Sequence, residues 1–391
     1  MQGANLPAPL LRLIINLCIS NDAPDCFCPF LCISAISCNF CNLALQTTQT
    51  GIGPSTHVSV TKEDALVIYR QMNTIRRIET AAGNLYKEKI VRGFCHLYSG
   101  QEACAVGMRS AMRKQDSIIS AYRVHGWTYL MGVPVLGVLA ELTGRKSGCA
   151  RGKGGSMHMY CKNFYGGNGI VGAQVWTPRD GVAFASQYKE EGGVCFTLYG
   201  DGAANQGQLF EAYNIAKLMN IPVIYVCENN GYGMGTSAER SSASTNYYTR
   251  GDYIPGIWVD GMDVLAVREA AKFAIDYATS GKGPLILETV TYRYRTRDEV
   301  QVVRQTRDPI TSFKEKIINT ELATPDELKA IDAEIKKEVD AANKTAKEDT
   351  EITMEEIAGD VYSNTLEPTI RNITPWNPLT HKRVGPALNL K

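Results

Sequence analysis

The sequence predicts an α/β protein: a central, mostly parallel sheet with helices on both faces, plus helical extensions at the amino and carboxyl ends. Three observations carry this reading. The runs Val194-Cys195-Phe196-Thr197-Leu198-Tyr199 and Ile221-Pro222-Val223-Ile224-Tyr225-Val226-Cys227 show no polar–apolar alternation, the pattern of strands covered on both sides. A helix-length segment, 207–220, lies between them, and strand–helix–strand in this style implies parallel pairing. A third apolar run at 284–290 follows a helical pattern over 264–278.

Taken in order, residues 1–56 read as an atypical leader, poorly ordered or processed. They hold one basic residue, Arg12, and two acids, Asp22 and Asp25, and no further charge appears until Lys62. A mitochondrial presequence is Arg-rich, amphipathic and poor in acids; this segment is only poor in acids. The uncharged stretch 26–45 carries Pro29 and little Leu or Val, so no membrane span is expected. Six of the twelve cysteines (Cys18, Cys26, Cys28, Cys32, Cys38 and Cys41) fall here, but no His precedes His57 and the flanks are apolar, which argues against metal. The other six lie in apolar runs and read as buried thiols of a reducing compartment.

Folded sequence is expected from near Val58, with an α/β domain over 57–310 and a helical extension over 311–391. Thr61 stands where a helix cap belongs, with Glu63 and Asp64 in the first turn and apolar spacing at Leu66, Ile68, Tyr69, Met72 and Ile75. Near the carboxyl end, Thr324-Pro325-Asp326-Glu327 combines a capping Thr, Pro at the first helical position and Glu three residues after the cap. Leu328, Ile331, Ile335 and Val339 then form a narrow apolar stripe. A formal net charge of +1, with no basic stripe, offers nothing to steer nucleic acid.

The chemistry concentrates at two strand ends. Gly200-Asp201-Gly202-Ala203-Ala204 follows the first buried strand, and Glu228-Asn229-Asn230-Gly231-Tyr232-Gly233 follows the next. Ligands of open parallel sheets bind beyond the carboxyl ends of the strands. A carboxylate and a carboxamide delivered there together suit Mg²⁺, which takes oxygen ligands and is often shared with phosphates. Glycines allow close backbone approach, and the helix start at Gly207 favours anions. Either motif alone is more often a plain turn; both at successive strand ends are a signature of thiamine-diphosphate enzymes.

Longer segments sharpen this. Arg92-Gly93-Phe94-Cys95-His96-Leu97-Tyr98-Ser99-Gly100-Gln101-Glu102-Ala103, Ala121-Tyr122-Arg123-Val124-His125-Gly126, Gly152-Lys153-Gly154-Gly155-Ser156-Met157-His158-Met159 and Gly166-Gly167-Asn168-Gly169-Ile170-Val171-Gly172-Ala173-Gln174 closely resemble the alpha subunits of animal pyruvate dehydrogenases, from about Val58 to about Tyr362. The resemblance implies the thiamine-diphosphate-binding fold and oxidative decarboxylation of a 2-oxo acid with acyl transfer to a lipoyl group. It implies Mg²⁺ held by the Asp201 and Asn230 side chains and the Tyr232 carbonyl, and thiamine diphosphate met by Gly202, Ala203, Tyr122 and Arg123. Gly169 and Val171 would touch the aminopyrimidine, Cys161 matches another binding position, and His96 would face the reacting centre. It further implies a beta subunit in an α₂β₂ assembly, the lipoyl domain of an acyltransferase, a regulatory kinase and phosphatase acting at Ser237, and the mitochondrial matrix. Two other readings stay open: a branched-chain 2-oxo acid dehydrogenase alpha subunit, and a non-catalytic subunit that assembles without turning over.

The second alternative rests on a departure. After Thr291-Tyr292-Arg293-Tyr294 the family continues with a loop, His-Gly-His-Ser-Met-Ser-Asp-Pro, that carries a His against the cofactor and two phosphorylation serines. Here Arg295-Thr296-Arg297-Asp298-Glu299 follows directly. Another departure, Val175-Trp176-Thr177-Pro178-Arg179-Asp180-Gly181, replaces a Pro-Leu-Gly-type run and should disturb packing at the subunit interface.

Overall fold

The computed structural model describes residues 37–40, 45–48, 53–167, 178–294, 298–353, 356, 369–370 and 379–380, all within one unit, 36–391. In chain order the elements that place the site begin with β1 (Ser37–Phe40), β2 (Leu45–Thr47) and β3 (Val58–Thr61). There follow α1 (Lys62–Lys87), α2 (Glu102–Ala111), β4 (Ser117–Ile119), α3 (His125–Leu130), α4 (Val135–Leu142), β5 (Tyr160–Cys161) and β6 (Phe164–Tyr165). Next come α5 (Pro178–Tyr188), β7 (Cys195–Gly200), α6 (Gly207–Leu218), β8 (Val223–Asn229), β9 (Tyr232–Gly233), β10 (Thr236–Ser237) and α7 (Ala238–Ser241). The chain continues through β11 (Gly256–Asp260), α8 (Val264–Tyr277), β12 (Leu285–Val290), α9 (Asp298–Arg307), α10 (Pro309–Asn319) and α11 (Pro325–Glu348).

The eight-stranded sheet runs β2-β11-β12-β8-β7-β4-β6-β5. Every pairing from β11 to β6 is parallel, and only the edge strands β2 and β5 run antiparallel. The expected mostly parallel sheet is therefore observed. Both faces are buried, as the unalternating strands require. Phe196, Leu198, Ile224, Val226, Leu285 and Leu287 enter one apolar cluster with α1, α2 and α8. Their neighbours Cys195, Tyr199, Val223, Tyr225, Cys227 and Ile286 enter a second with Ala183, Leu209, Ala212 and Tyr213.

The helix signals hold. Thr61 Oγ1 accepts the Asp64 N–H at 3.1 Å, and Ile68, Tyr69, Met72 and Ile75 are buried. Thr324 and Glu327 form a reciprocal capping box, and Leu328, Ile331, Ile335 and Val339 are buried beneath α11. That stripe joins the same cluster as α1, so the carboxyl-terminal helices share the core of the sheet domain. The folded chain also reaches upstream of Val58. β1 pairs with β3, and β2 pairs antiparallel with β11, covering what would otherwise be an open sheet edge. Among the described residues no helix is long and apolar enough to cross a membrane.

Candidate active site

The β7 and β8 ends lie side by side. Their register pairs Gly200 with Glu228, so Asp201 and Asn230 leave neighbouring strands at the same carboxyl edge. The loops that follow stay adjacent: a Cβ built on Gly202 would lie 3.9 Å from the Gly233 Cα. Gly231, at φ +75°, makes the sharp exit from β8 that a side chain would strain. Asp201 and Asn230 are 2% and 8% exposed. Asn230 Nδ2 donates to Gln101 Oε1 at 3.0 Å, which commits the nitrogen end of the amide, and the amide oxygen accepts the Tyr232 N–H at 3.3 Å. The turn after Asp201, Ala203–Asn205, is pinned by Arg250 Nη1 to Ala204 O and Asn205 Oδ1, both at 2.8 Å, and leads into the amino end of α6.

A second cluster stands beside it. The His96 ring lies 4.6 Å from the Tyr122 ring, and the Arg123 guanidinium sits 5.3 Å from the Tyr122 centroid. Arg123 is buried and donates Nη1 to Leu97 O. Burial, with the Arg123 and His125 charges, pushes the His96 imidazole down to about 4, so it is neutral at neutral pH. Burial pushes the Glu228 carboxyl up to about 7, against the opposing Tyr98 hydroxyl, which donates to it, and Arg123. The segment 97–101 joins the two clusters: Tyr98 holds Glu228, Gln101 holds Asn230, and the Tyr294 N–H closes on Ser99 O at 3.0 Å.

The structure thus gathers His96, Tyr122 and Arg123 into one cluster and Asp201, Gly202, Ala203, Asn230 and Tyr232 into a neighbouring one. Ser237 pairs with Tyr232 across the β9–β10 hairpin and caps α7. Gly169, Val171 and the altered residues 175–177 lie outside the described residues. Cys161 is not brought to either cluster. It sits on the edge strand β5, and its register runs through Phe164 and Ile118 to Phe196, near the amino end of β7. Five residues of strand before Asp201 amount to roughly 16 Å at 3.3 Å each. There it donates to Met131 O at 3.6 Å, burial raises its thiol to about 11, and it lines a cavity of about 410 Å³ with Arg109, Arg113, Lys114 and Lys162.

Whether a metal-bound diphosphate fits is decided by the donors present. Among the described residues no three His, Cys, Asp or Glu side chains converge as a self-contained metal cage. One carboxylate with amide and backbone oxygens instead matches a hard cation that completes its shell from phosphate. Buried polar atoms of His96 (Nε2), Gln101 (Nε2) and Gln206 (Oε1) have no hydrogen-bond partner, and all three belong to the segments around these loops. The site fits the group. Gln101, Glu228, Glu79 and Ser156 were missed as site residues by local pattern. Gln101, Ser156 and Glu228 stand inside the segments named above, and Glu79 is an acid among the buried residues of α1.

A family described as dehydrogenase E1 component matches residues 70–355. The chain is 64% identical over 334 residues to the probable pyruvate dehydrogenase E1 component subunit alpha, mitochondrial, of Caenorhabditis elegans, covering 82% of this chain and 84% of that one. It is 63% identical over 334 residues to the type II mitochondrial alpha subunit of Ascaris suum, covering 82% and 85%. Against the somatic mitochondrial alpha subunit of Homo sapiens it is 54% identical over 336 residues, covering 83% and 86%.

Proposed function

Because the chain belongs to the dehydrogenase E1 component family, among its pyruvate dehydrogenase alpha subunits, we propose that it serves the oxidative decarboxylation of pyruvate and transfer of the acetyl group to a lipoyl carrier. It works in the mitochondrion beside a beta subunit, in an α₂β₂ assembly. The observation that carries this is the delivery of Asp201 and Asn230 from adjacent parallel strands, with the amide oriented by Gln101. The Asp201 and Asn230 side chains and the Tyr232 carbonyl hold Mg²⁺; Gly202 and Ala203 meet the diphosphate, with Tyr122 adding a hydroxyl and Arg123 a cation. Thiamine diphosphate, when bound, supplies the electron sink for loss of carbon dioxide. Gly169 and Val171 serve its aminopyrimidine side. His96, neutral and with Nε2 open, takes or holds a proton at the reacting centre. The lipoyl domain of the acyltransferase receives the product, and a kinase and phosphatase act at Ser237.

A second reading, assembly with impaired turnover, has its own observation. Tyr294 is anchored to Ser99 and donates its hydroxyl to Asp308 at 2.7 Å, and α9 begins at Asp298. In the sequence, Arg295-Thr296-Arg297 stand where the family carries its His-bearing loop. Co-purified with a beta subunit, the chain is expected to bind thiamine diphosphate with Mg²⁺ while pyruvate decarboxylation runs roughly a hundredfold below the family's rate, the share one acid–base group supplies. Absent binding sinks the site, family-normal turnover sinks the impairment, and a preference for branched 2-oxo acids sinks the substrate.

Ser237 offers a milder test. A negative charge there lies across the hairpin from Tyr232. Ser237→Glu is expected to weaken thiamine diphosphate binding by about fivefold through like-charge repulsion. Calorimetric titration reads this, and equal affinities would remove Ser237 from the proposal.

A further inference from the structure

Beneath His96 runs a buried chain of side chains that the roles above leave unused. Glu79 on α1 and His125 at the start of α3 are 1% and 0% exposed. His125 Nδ1 lies 2.9 and 3.1 Å from the two Glu79 carboxylate oxygens, so Nδ1 is the donor in that pair. Its Nε2 lies 2.9 Å from Ser156 Oγ, and that hydroxyl accepts the His96 N–H at 2.9 Å. Glu79 Oε1 also accepts the Tyr98 N–H at 2.8 Å. The tripeptide His96-Leu97-Tyr98 is therefore gripped at both ends by one Glu79–His125–Ser156 chain, while Arg123 holds the carbonyl between them. A buried pair of this kind adds little stability over apolar side chains of equal volume. Its placement is the informative part: its outer end is one backbone hydrogen bond from His96.

The geometry points to Glu79 and His125 as positioning residues that set the orientation and charge of His96 through Ser156. This rests on the reading of His96 as the group facing the reacting centre. The titratable groups that face His96 are Arg123, His125 and Tyr122, and the first two favour its neutral form. His125→Asn removes one of them and loosens the loop. Ser156→Ala keeps the buried pair and cuts only its link to the His96 N–H, so it stands if His125→Asn fails to fold.

The test has one arm without cofactor. With isotope-labelled histidine in this chain alone, assembled with a beta subunit, His96 is expected to titrate near 4 in the parent. In His125→Asn the titration is expected to move up by about half a unit or more, because the imidazole that disfavours a charged His96 is lost. In the second arm, Ser156→Ala is expected to slow pyruvate decarboxylation about tenfold while thiamine diphosphate affinity stays within about threefold. An unmoved His96 titration in His125→Asn, or an unchanged rate in Ser156→Ala, overturns the assignment. Failure of the parent assembly to bind thiamine diphosphate would instead overturn the site reading, and the titration arm would still be readable.

Discussion

Asp201→Ala is expected to abolish thiamine diphosphate binding at physiological Mg²⁺ and to lower pyruvate decarboxylation by about a thousandfold or more. Asp201 is the only side-chain carboxylate among the proposed metal ligands, and it stands 2% exposed at the end of β7. A divalent ion beside a diphosphate needs that charge for orientation as well as for neutralisation; losing it costs roughly 4 kcal/mol, which is a factor of about a thousand. Asn230→Ala removes a neutral ligand and is expected to cost less, about 2 kcal/mol, because Mg²⁺ can take a water in its place. Gln101→Leu is a gentler probe: it frees the Asn230 amide to rotate, and affinity is expected to fall about fivefold, in line with one hydrogen bond. Cys161→Ala is expected to leave affinity within about twofold, since Cys161 donates to Met131 O on the edge strand. Calorimetry with Mg²⁺ present checks all four. Comparable losses for Asp201→Ala and Cys161→Ala would defeat the placement of the site.

Much of the candidate site was legible because its residues announce themselves locally. A parallel strand buried on both faces loses polar alternation, and its carboxyl end must turn. Gly200-Asp201-Gly202 and Asn230-Gly231 therefore mark both the strand ends and the candidate site. The helix caps at Thr61 and Thr324 were legible for the same reason, since donor and acceptor lie three residues apart. Partners far along the chain leave no such trace. Gln101 grips Asn230 across 129 residues, and Glu79 meets His125 across 46. Periodicity reports that Glu79 sits on a buried face but not what it touches there. The upstream strands β1 and β2 escaped because an uncharged segment of three or four residues has no measurable period, and its pairing is settled by the open edge it covers. Cys161 shows the complementary case: a position matched by resemblance does not report which part of the sheet the residue occupies, and the register puts it on the edge strand β5.

Arg76→Met is expected to destabilise the fold by about 3–5 kcal/mol, the cost of leaving buried carboxylates without their cation. Arg76 on α1 donates Nη2 to Glu102 Oε2 at 2.9 Å and Nη1 to Asp308 Oδ2 at 2.9 Å, and its guanidinium lies 4.9 Å from the Tyr294 ring. Glu102 and Asp308 side chains are 0% and 6% exposed. Neither acid can be spared: Glu102 accepts the Gly100 N–H at the start of α2, and Asp308 caps α10 through Ile310 and Thr311, both at 3.0 Å. The single cation therefore ties four segments, including the anchored Tyr294. The pH dependence follows from Asp308. Burial alone would raise its carboxyl, but Arg76, the Thr311 N–H and the Tyr294 hydroxyl together hold it below its ordinary 3.8. A depressed carboxylate adds stability that is present above the unfolded value and is lost as pH falls through the folded one. With Arg76 replaced, burial dominates and the carboxyl rises instead, so the deficit of Arg76→Met is expected to be largest near neutrality and to shrink below about pH 4. Urea midpoints at neutral and acidic pH check this. A deficit independent of pH would show that Arg76 acts by packing rather than by charge, and adding Glu102→Gln to Arg76→Met should then recover none of the loss.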